Sequence, residues 1–298
     1  MRKLLALIRL GRPLFLGGGF LLFALGAAIA AAHGHPIDVT RYVLGQLAVT
    51  AFQLMTHYAN DYFDYDADRA NTTPTKWSGG SRVLANDELP RRIALVAALV
   101  LAAIGLATSG VLALDAPAWT LPTLLAMLVL AWEYSAPPLR LCASGAGELD
   151  TALVVTGLVP WLGFYLHAPD LLGLQTLLLA IVPLALLQIA MLLAIEFPDA
   201  AGDEATGKRT LVVRLGPARA ARLYVAITLA AFAWLPLAAW LGLPGRVALA
   251  AAIPLPVALW RVYRIAEHRE RAAYERLTFS AVFLLVATSV CELAAFVV

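Results

Sequence analysis

The chain has 298 residues, of which 61% are hydrophobic and only 14% charged, and its net charge is +2. A soluble domain carries about 25% charged residues, so this composition excludes a soluble globular protein and predicts an all-α polytopic membrane protein. The small net charge does not indicate a nucleic-acid partner. The two cysteines, Cys142 and Cys291, are far apart and do not indicate a disulfide framework.

Nine apolar segments approach the ~20 residues that a transmembrane helix needs. We expect spans at residues 14–32, 42–60, 93–112, 119–134, 152–167, 172–195, 220–241, 247–263 and 277–297. The basic start and alanine-rich end of the first segment also resemble a signal peptide. We interpret it as a span because Arg9 and Arg12 interrupt that pattern and many spans follow.

The charges of the loops support this count. When nine spans alternate sides, Arg41 and Arg246 fall on one side, and the other 20 of the 22 Lys and Arg residues fall on the opposite side. Basic loops are retained in the cytoplasm. The sequence therefore predicts an inner (plasma) membrane protein with a cytoplasmic N-terminus and an external C-terminus.

The second predicted span carries a polar stripe. Its members recur every three or four residues: Gln46, Thr50, Gln53, His57, Asn60 and Asp64. Polar groups in a membrane helix avoid lipid, so the stripe predicts a helix face turned to an interior cavity, with Gln53 and His57 in its wall. The alternative is hydrogen bonding between neighbouring helices.

The stripe leads into a first acidic motif, residues 60–68, which read NDYFDYDAD. At about 100° per helical residue, four side chains share one face and Asp66 points away; the four are Asn60, Asp61, Asp64 and Asp68. Carboxylates on one face repel each other. Hard oxygen ligands favour Mg²⁺ as their counter-charge, and the alternative is a solvated acidic loop.

A polar loop follows this motif, within a predicted cytoplasmic region at residues 60–92. Gly79-Gly80 permits close approach of the backbone to a ligand. Lys76 and Arg82 are candidates for phosphate oxygens, although each also fits ordinary cytoplasmic charge.

Between the fourth and fifth spans, Tyr134 precedes Pro137-Pro138, which predict an extended exit from the helix. Tyr134 is an aromatic candidate for the cavity. Glu148 and Asp150 follow at the start of the next helix, and we interpret them as partners of its positive end.

A second acidic motif ends the sixth span, in a predicted cytoplasmic region at residues 196–219. Glu196, Asp199 and Asp203 share a face if the helix continues through Pro198. Lys208 and Arg209 follow and supply cations. Asp64 and Asp199 are 135 residues apart, as are Asp68 and Asp203, which indicates a pseudo-repeat of two four-helix units plus a ninth helix.

A site in which two carboxylate faces hold Mg²⁺ beside basic groups is suited to binding a diphosphate. A membrane cavity then suggests a polyprenyl diphosphate, whose allylic cation requires a dry apolar chamber. Such a cation is also stabilised by aromatic faces.

The motifs NDYFDYDAD, SGGSR, YSAPPLRL and DAAGDEATGKRTLVVRLG together resemble the UbiA superfamily of intramembrane prenyltransferases. The similarity is greatest to the branch of 1,4-dihydroxy-2-naphthoate prenyltransferases of menaquinone synthesis. It implies nine helices around a central cavity in one domain, residues 1–298, two Mg²⁺ ions, and prenyl transfer to a small aromatic acceptor with release of diphosphate. Glu196 and Pro198 depart from that branch, so the acceptor stays open.

The resemblance also assigns roles by motif position. The metal and diphosphate site would comprise Asn60, Asp61, Asp64, Asp68, Asp199 and Asp203. Assistance at the phosphates would come from Lys76, Arg82, Lys208 and Arg209.

Two other functions fit the same residues. A terpene cyclase on this scaffold closes the cation on its own chain and needs no acceptor. A cation-coupled transporter uses the carboxylates as an ion site, but it gains nothing from the phosphate-binding residues beside them.

Overall fold

The computed structural model describes residues 2–298, and this range is helical with no β-strand. The α-helices are α1 (Arg2–Leu10), α2 (Pro13–Ala32), α3 (Val39–Phe63), α4 (Tyr65–Ala70), α5 (Arg91–Ala113), α6 (Thr120–Glu133), α7 (Leu141–Ser144), α8 (Gly147–Thr151), α9 (Val159–Tyr165), α10 (Leu174–Ala205), α11 (Leu211–Leu215), α12 (Pro217–Trp240), α13 (Gly245–Ala251), α14 (Leu255–Tyr263) and α15 (Tyr274–Val297). A π-helix at Ala152–Leu158 joins α8 to α9, and two 3₁₀ turns, Ile265–Arg269 and Arg271–Ala273, precede α15.

Six helical segments within residues 2–298 are long and apolar enough to cross a membrane, so the chain is a polytopic membrane protein. They are Pro13–Ala32, Arg91–Ala113, Leu174–Ala205, Pro217–Trp240, Gly245–Tyr263 and Arg271–Val297. The other three predicted spans are helical but fall short of this standard. The polar stripe lowers the hydropathy of α3, α6 has 14 residues, and the fifth span is a π-helix followed by the short α9.

The structure differs from the predicted boundaries at two places. Helix α10 continues through Pro198 to Ala205, ten residues beyond the predicted end, so the first part of the expected loop at 196–219 is helical. The eighth span is interrupted between α13 and α14, where Pro254 precedes the second helix.

The helices pack around α2, α3, α10 and α15. Helix α2 packs on α9 and α15, α3 on α5, and α10 on α12 and α15. Outward faces stay apolar; on α5, for example, Val96, Leu99 and Ile104 are more than half exposed. In a soluble protein such faces would be a liability, whereas in a bilayer they meet lipid.

Tight helix contacts depend on glycine. A β-carbon on Gly26 of α2 would lie 1.9 Å from the carbonyl oxygen of Pro160, and one on Gly163 of α9 would lie 2.2 Å from that of Phe23. Glycine therefore lets the α2 and α9 backbones touch, as small residues do between membrane helices.

Candidate active site

The first acidic motif sits at the end of α3, and Arg12 reaches it from the start of α2. Arg12 Nη2 donates to Asn60 Oδ1 at 2.9 Å and also contacts Asp61. Asp61 is buried and accepts from the backbone N–H and hydroxyl of Ser81 as well. Both of its oxygens are thus bound within the protein, so Asp61 holds Arg12 in place.

Lys208 joins the two acidic motifs. Its Nζ lies 3.0 Å from Asp64 Oδ2 and 3.1 Å from Asp203 Oδ1, and its side chain is 12% exposed. Burial opposes its charge, but the carboxylates of Asp64 and Asp203 outweigh burial and raise the pKa of Lys208 well above its usual value. The ends of α3 and α10 therefore meet around one ammonium group.

The loop after α4 closes on the second motif. Asn71 Nδ2 donates to Asp199 Oδ1 at 2.7 Å, and the Gly79 N–H donates to Asp199 Oδ2 at 3.1 Å. Gly79 and Gly80 have φ of +72° and +70°, a conformation that favours glycine. A β-carbon on Gly80 would lie 2.0 Å from Asp68 Oδ2, so the loop backbone lies directly against the first motif.

These contacts enclose a polar pocket of about 90 Å³. Its wall includes Arg12, Asn60, Asp64, Asp68, Tyr134, Glu196, Asp199, Asp203 and Lys208. Glu196 accepts a backbone hydrogen bond from Val212 at 3.2 Å. The wall thus combines acids of both motifs with two cations.

Three basic residues that the sequence assigns to phosphates do not line this pocket. Arg209 is exposed, and the ammonium group of Lys76 lies over the ring of Trp77. Arg82 donates to the carbonyl oxygen of Asp68 and so braces the loop. Of the four candidates, only Lys208 faces the pocket.

An apolar cavity of about 250 Å³ adjoins the polar pocket. The two share wall residues, which are Arg12, Asn60, Trp77, Tyr134, Leu192 and Ile195. Side chains of α2, α3, the π-helix, α10 and α15 complete the apolar wall. A charged group in the pocket can therefore carry an apolar tail into the cavity.

The second half of the polar stripe of α3 both faces this cavity and anchors the segment that carries Arg12, whereas Gln46 and Thr50 hydrogen-bond to each other within the helix. Gln53 Nε2 donates to the Phe15 carbonyl at 2.7 Å, and His57 Nδ1 lies 2.7 Å from the Gly11 carbonyl oxygen. Both side chains line the apolar cavity. Both interpretations of the stripe, as a cavity wall and as a source of interhelical hydrogen bonds, therefore apply to these two side chains.

Arg12 is the main residue that sequence reasoning missed. In the sequence it is one of several basic residues before the first span, with no motif around it. Trp77 and Ser81 were also missed as site residues; Trp77 borders both the pocket and the cavity. Arg12 is placed by the turn between α1 and α2, and Trp77 and Ser81 by closure of the loop after α4. Spacing along the chain shows neither.

The donor set fits Mg²⁺. Asp64 Oδ1 is buried without a hydrogen-bond partner. Burial, with the adjacent Asp61 carboxylate, raises the pKa of Asp68 well above its usual value, and Arg12 offsets this only in part. The pocket is therefore short of positive charge.

Within residues 2–298, no three His, Cys, Asp or Glu side chains are arranged to hold one metal ion. Mg²⁺ does not require such a group, since it commonly takes one or two carboxylates and completes its shell with phosphate oxygens and water.

Comparison with known proteins identifies the family of this chain. The UbiA prenyltransferase family matches residues 20–286. The chain belongs to the UbiA prenyltransferase family. It is therefore an enzyme, an intramembrane prenyltransferase.

Relatives of this UbiA chain include a digeranylgeranylglyceryl phosphate synthase from Thermococcus gammatolerans, 30% identical over 235 residues that cover 76% of each chain. A solved UbiA homologue from Archaeoglobus fulgidus, bound to DMAPP and Mg²⁺, aligns over 96% of this chain and 98% of its own, with a TM-score of 0.66 and 18% identity. A UbiA homologue from Aeropyrum pernix without ligand covers 93% and 97%, with a TM-score of 0.65 and 18% identity. The solved structures show a shared fold.

Proposed function

We propose that this UbiA-family enzyme transfers a polyprenyl group from an allylic prenyl diphosphate to a small aromatic acceptor and releases diphosphate, with Mg²⁺ as cofactor. The observation that carries the proposal is the continuous site: an acidic and basic pocket that opens through a shared wall into an apolar cavity. The Archaeoglobus homologue, bound to DMAPP and Mg²⁺, supports the same pairing of ligand and ion.

Binding begins at the polar pocket. Arg12 and Lys208 offer cationic donors to the diphosphate oxygens, while Asn60 orients Arg12. The ions would be held by Asp64, Asp68, Asp199 and Asp203, and when bound they neutralise the negative charge of the departing diphosphate. Asp61 positions Arg12 and Ser81, and unlike the other four carboxylates it does not line the polar pocket.

The apolar cavity governs what happens after the carbon–oxygen bond breaks. It excludes water, so the allylic cation survives long enough to meet the acceptor. Phe15, Trp77 and Tyr134 in its wall offer aromatic faces to that cation. Residues of the chain thus bind the diphosphate, keep the reacting carbon dry and stabilise its charge.

An aromatic or quinone-precursor acceptor, such as the naphthoate of menaquinone synthesis, suits these aromatic walls. A second candidate is a glyceryl phosphate acceptor, because one relative is a digeranylgeranylglyceryl phosphate synthase. The apolar cavity favours the aromatic class, since Arg12 is the one Lys or Arg in its wall among residues 2–298 and is assigned to the diphosphate, which leaves a second phosphate without a partner.

We further propose one domain over residues 1–298 with nine spans, built as two four-helix units and a ninth helix, in the inner (plasma) membrane. Helical segments lie at all nine predicted positions. The acidic motifs and the N-terminus are then cytoplasmic and the C-terminus external.

The proposal is tested by product analysis. Purified protein in lipid nanodiscs is given Mg²⁺, prenyl diphosphates of several lengths, and a panel of phenols, naphthoic acids and glyceryl phosphates. We expect mass spectrometry to find a prenylated acceptor and free diphosphate, both abolished by EDTA. A product formed from prenyl diphosphate alone would indicate the cyclase, and ion flux in sealed vesicles without diphosphate release would indicate the transporter.

A matched pair of variants tests the pocket. Asp64→Asn removes a carboxylate that faces Lys208, whereas Asp66→Asn changes an exposed carboxylate two residues away. We expect turnover to fall by about 100-fold or more in Asp64→Asn, in the range seen when a group that stabilises transition-state charge is lost, and to stay near wild type in Asp66→Asn. Equal effects of the two changes would contradict the pocket assignment.

A further inference from the structure

Asp150 is a buried carboxylate that the mechanism above does not use. It is 7% exposed and lies on α8, directly before the π-helix. It lines the apolar cavity but not the polar pocket. Asp150 Oδ1 is buried and has no hydrogen-bond partner.

The helix end does not account for this side chain. The backbone N–H of Asp150 donates to the Ala146 carbonyl at 3.0 Å, so the residue lies inside the helical turn. Its carboxylate accepts no N–H from the start of α8. Asp150 lies in the first turn of α8, as the sequence predicted, but the positive end of this helix gives its side chain no hydrogen bond.

The cavity has a chemical need that Asp150 meets. Prenyl transfer to a hydroxyl-bearing acceptor releases a proton, and a dry cavity has no water to take it. Arg12 and Asp150 are the charged side chains in the wall among residues 2–298, and Arg12 is bound to Asp61. The other titratable wall residues are Tyr134, which is a poor base, and His57, which is hydrogen-bonded to Gly11 beside Arg12.

Resting on the proposed function, we propose that Asp150 is the catalytic base of the acceptor subsite and recognises an uncharged hydroxyl group on the acceptor. The Asp150 carboxylate accepts the hydrogen bond of that hydroxyl. The bond from the prenyl carbon to diphosphate oxygen breaks, and its electron pair leaves with the diphosphate. The ring carbon beside the hydroxyl forms the new bond to that carbon while the hydroxyl proton moves to Asp150, which gives a dienone. The ring carbon then loses its hydrogen as a proton and the oxygen takes a proton back, so the one proton left on Asp150 returns to solvent.

Two local features support this role. Burial raises the pKa of Asp150 to about 7, and a base works best when its pKa lies near the operating pH. The adjacent π-helix is of a kind that often occurs at functional sites, and its Val154 and Val155 line the same cavity. An acceptor carrying a carboxylate at this position would instead be repelled.

The test uses the full chain in nanodiscs with Mg²⁺, geranyl diphosphate as donor, and two probes: 1-naphthol and its methyl ether, 1-methoxynaphthalene. In wild type we expect 1-naphthol to bind about tenfold or more tightly than the ether, since a hydrogen bond to a charged group is lost in the ether. Asp150→Leu should reduce this preference to about threefold or less, with unchanged affinity for geranyl diphosphate. Binding is read from tryptophan fluorescence.

Turnover of 1-naphthol separates a base from a merely structural residue. Asp150→Asn should lower kcat by about 100-fold or more, the usual contribution of a general base, and formate should restore part of the activity of Asp150→Ala. Glu148→Gln is the matched control: Glu148 is buried on the same helix, lines neither the pocket nor the cavity, and should keep the hydroxyl preference.

Wild-type hydroxyl preference in Asp150→Leu, or near wild-type kcat in Asp150→Asn, would overturn the inference. Loss of activity without formate rescue would overturn the base role as well. The proposed function fails separately, if wild type binds no geranyl diphosphate with Mg²⁺. In that case the comparison of naphthol with its ether still decides whether Asp150 recognises the hydroxyl group.

Discussion

A single ammonium group, that of Lys208, explains how two acidic motifs far apart in sequence share one pocket. It contacts Asp64 of the first motif and Asp203 of the second at about equal distances, 3.0 and 3.1 Å. Without it, both carboxylates would be buried with less positive charge nearby. Removing one partner from a buried pair is costly because the remaining charge is left uncompensated.

We therefore predict that Lys208→Met lowers the affinity for geranyl diphosphate, measured at saturating Mg²⁺, by about ten- to 100-fold, the equivalent of one or two charge-assisted hydrogen bonds. Arg209→Met is the control, because Arg209 is adjacent but exposed and outside the pocket. Isothermal titration measures both. An equal loss in the two variants would mean that general surface charge, not the bridge, binds the diphosphate.

At this scale the sequence predicted the acidic residues and Lys208, but not the second basic residue of the pocket, Arg12. Helical spacing places Asn60, Asp64 and Asp68 on one face, and the structure puts all three in the pocket wall. Lys208 was one of four basic candidates, and neither motif nor spacing separated it from the others. Arg12 was unmarked because its position depends on the turn between α1 and α2.

Among the elements, the loop after α4 is constrained both by its backbone conformation and by contact with the site. Gly80 combines φ of +70° with a contact to Asp68 that leaves no room for a β-carbon. Gly207, in the loop after α10, has φ of +80° and open space around it. An alanine at Gly207 would therefore meet backbone strain alone, whereas an alanine at Gly80 would meet backbone strain and a clash with Asp68.

Gly80→Ala should therefore displace Asp68 and lower Mg²⁺-dependent turnover by about tenfold or more, the effect expected when a site group shifts by roughly 1 Å. Gly207→Ala carries only the cost of the left-handed conformation, about 1–2 kcal/mol, and should stay active. Kinetics and thermal unfolding are measured together. Comparable activity of the two variants would show that the Gly80–Asp68 contact is not needed.

Helices α2 and α9 both contribute residues to the cavity wall, and their backbones touch at Gly26. We predict that Gly26→Ala destabilises the protein by about 1–3 kcal/mol, as overpacking does, because the new methyl group meets the Pro160 backbone. Gly17→Ala on the same helix meets nothing within 4 Å and should be neutral. Thermal unfolding in detergent compares them, and equal Tm values would contradict the close backbone contact.

Hydropathy predicted where most helices lie but not where α10 ends or where the eighth span breaks. Apolar length located most helices, but α10 continues past its apolar part because Glu196, Asp199 and Asp203 are satisfied by the pocket and its loops. The break between α13 and α14, and the π-helix after Asp150, leave no hydropathy signal. Tertiary packing determines these features, so sequence periodicity could not supply them.

For the whole molecule, contacts between loops agree with alternating spans. Arg41 pairs with Asp115 at 3.0 Å, and His35 lies 3.3 Å from Asp170; all four belong to loops predicted to be external. On the opposite end, Arg9 pairs with Glu88 at 2.9 Å, and both belong to segments predicted to be cytoplasmic. The charge asymmetry and the folded contacts thus place the same loops together.

The orientation is tested by single cysteines in a Cys142→Ala, Cys291→Ala background. Asp170→Cys lies in an exposed loop predicted to be external, and Asp87→Cys lies in an exposed loop predicted to be cytoplasmic. Because basic loops stay inside, a membrane-impermeant maleimide should label Asp170→Cys in intact cells and Asp87→Cys only after lysis. The reverse pattern would place both acidic motifs outside the cell, and labelling of both in intact cells would contradict the alternation of nine spans.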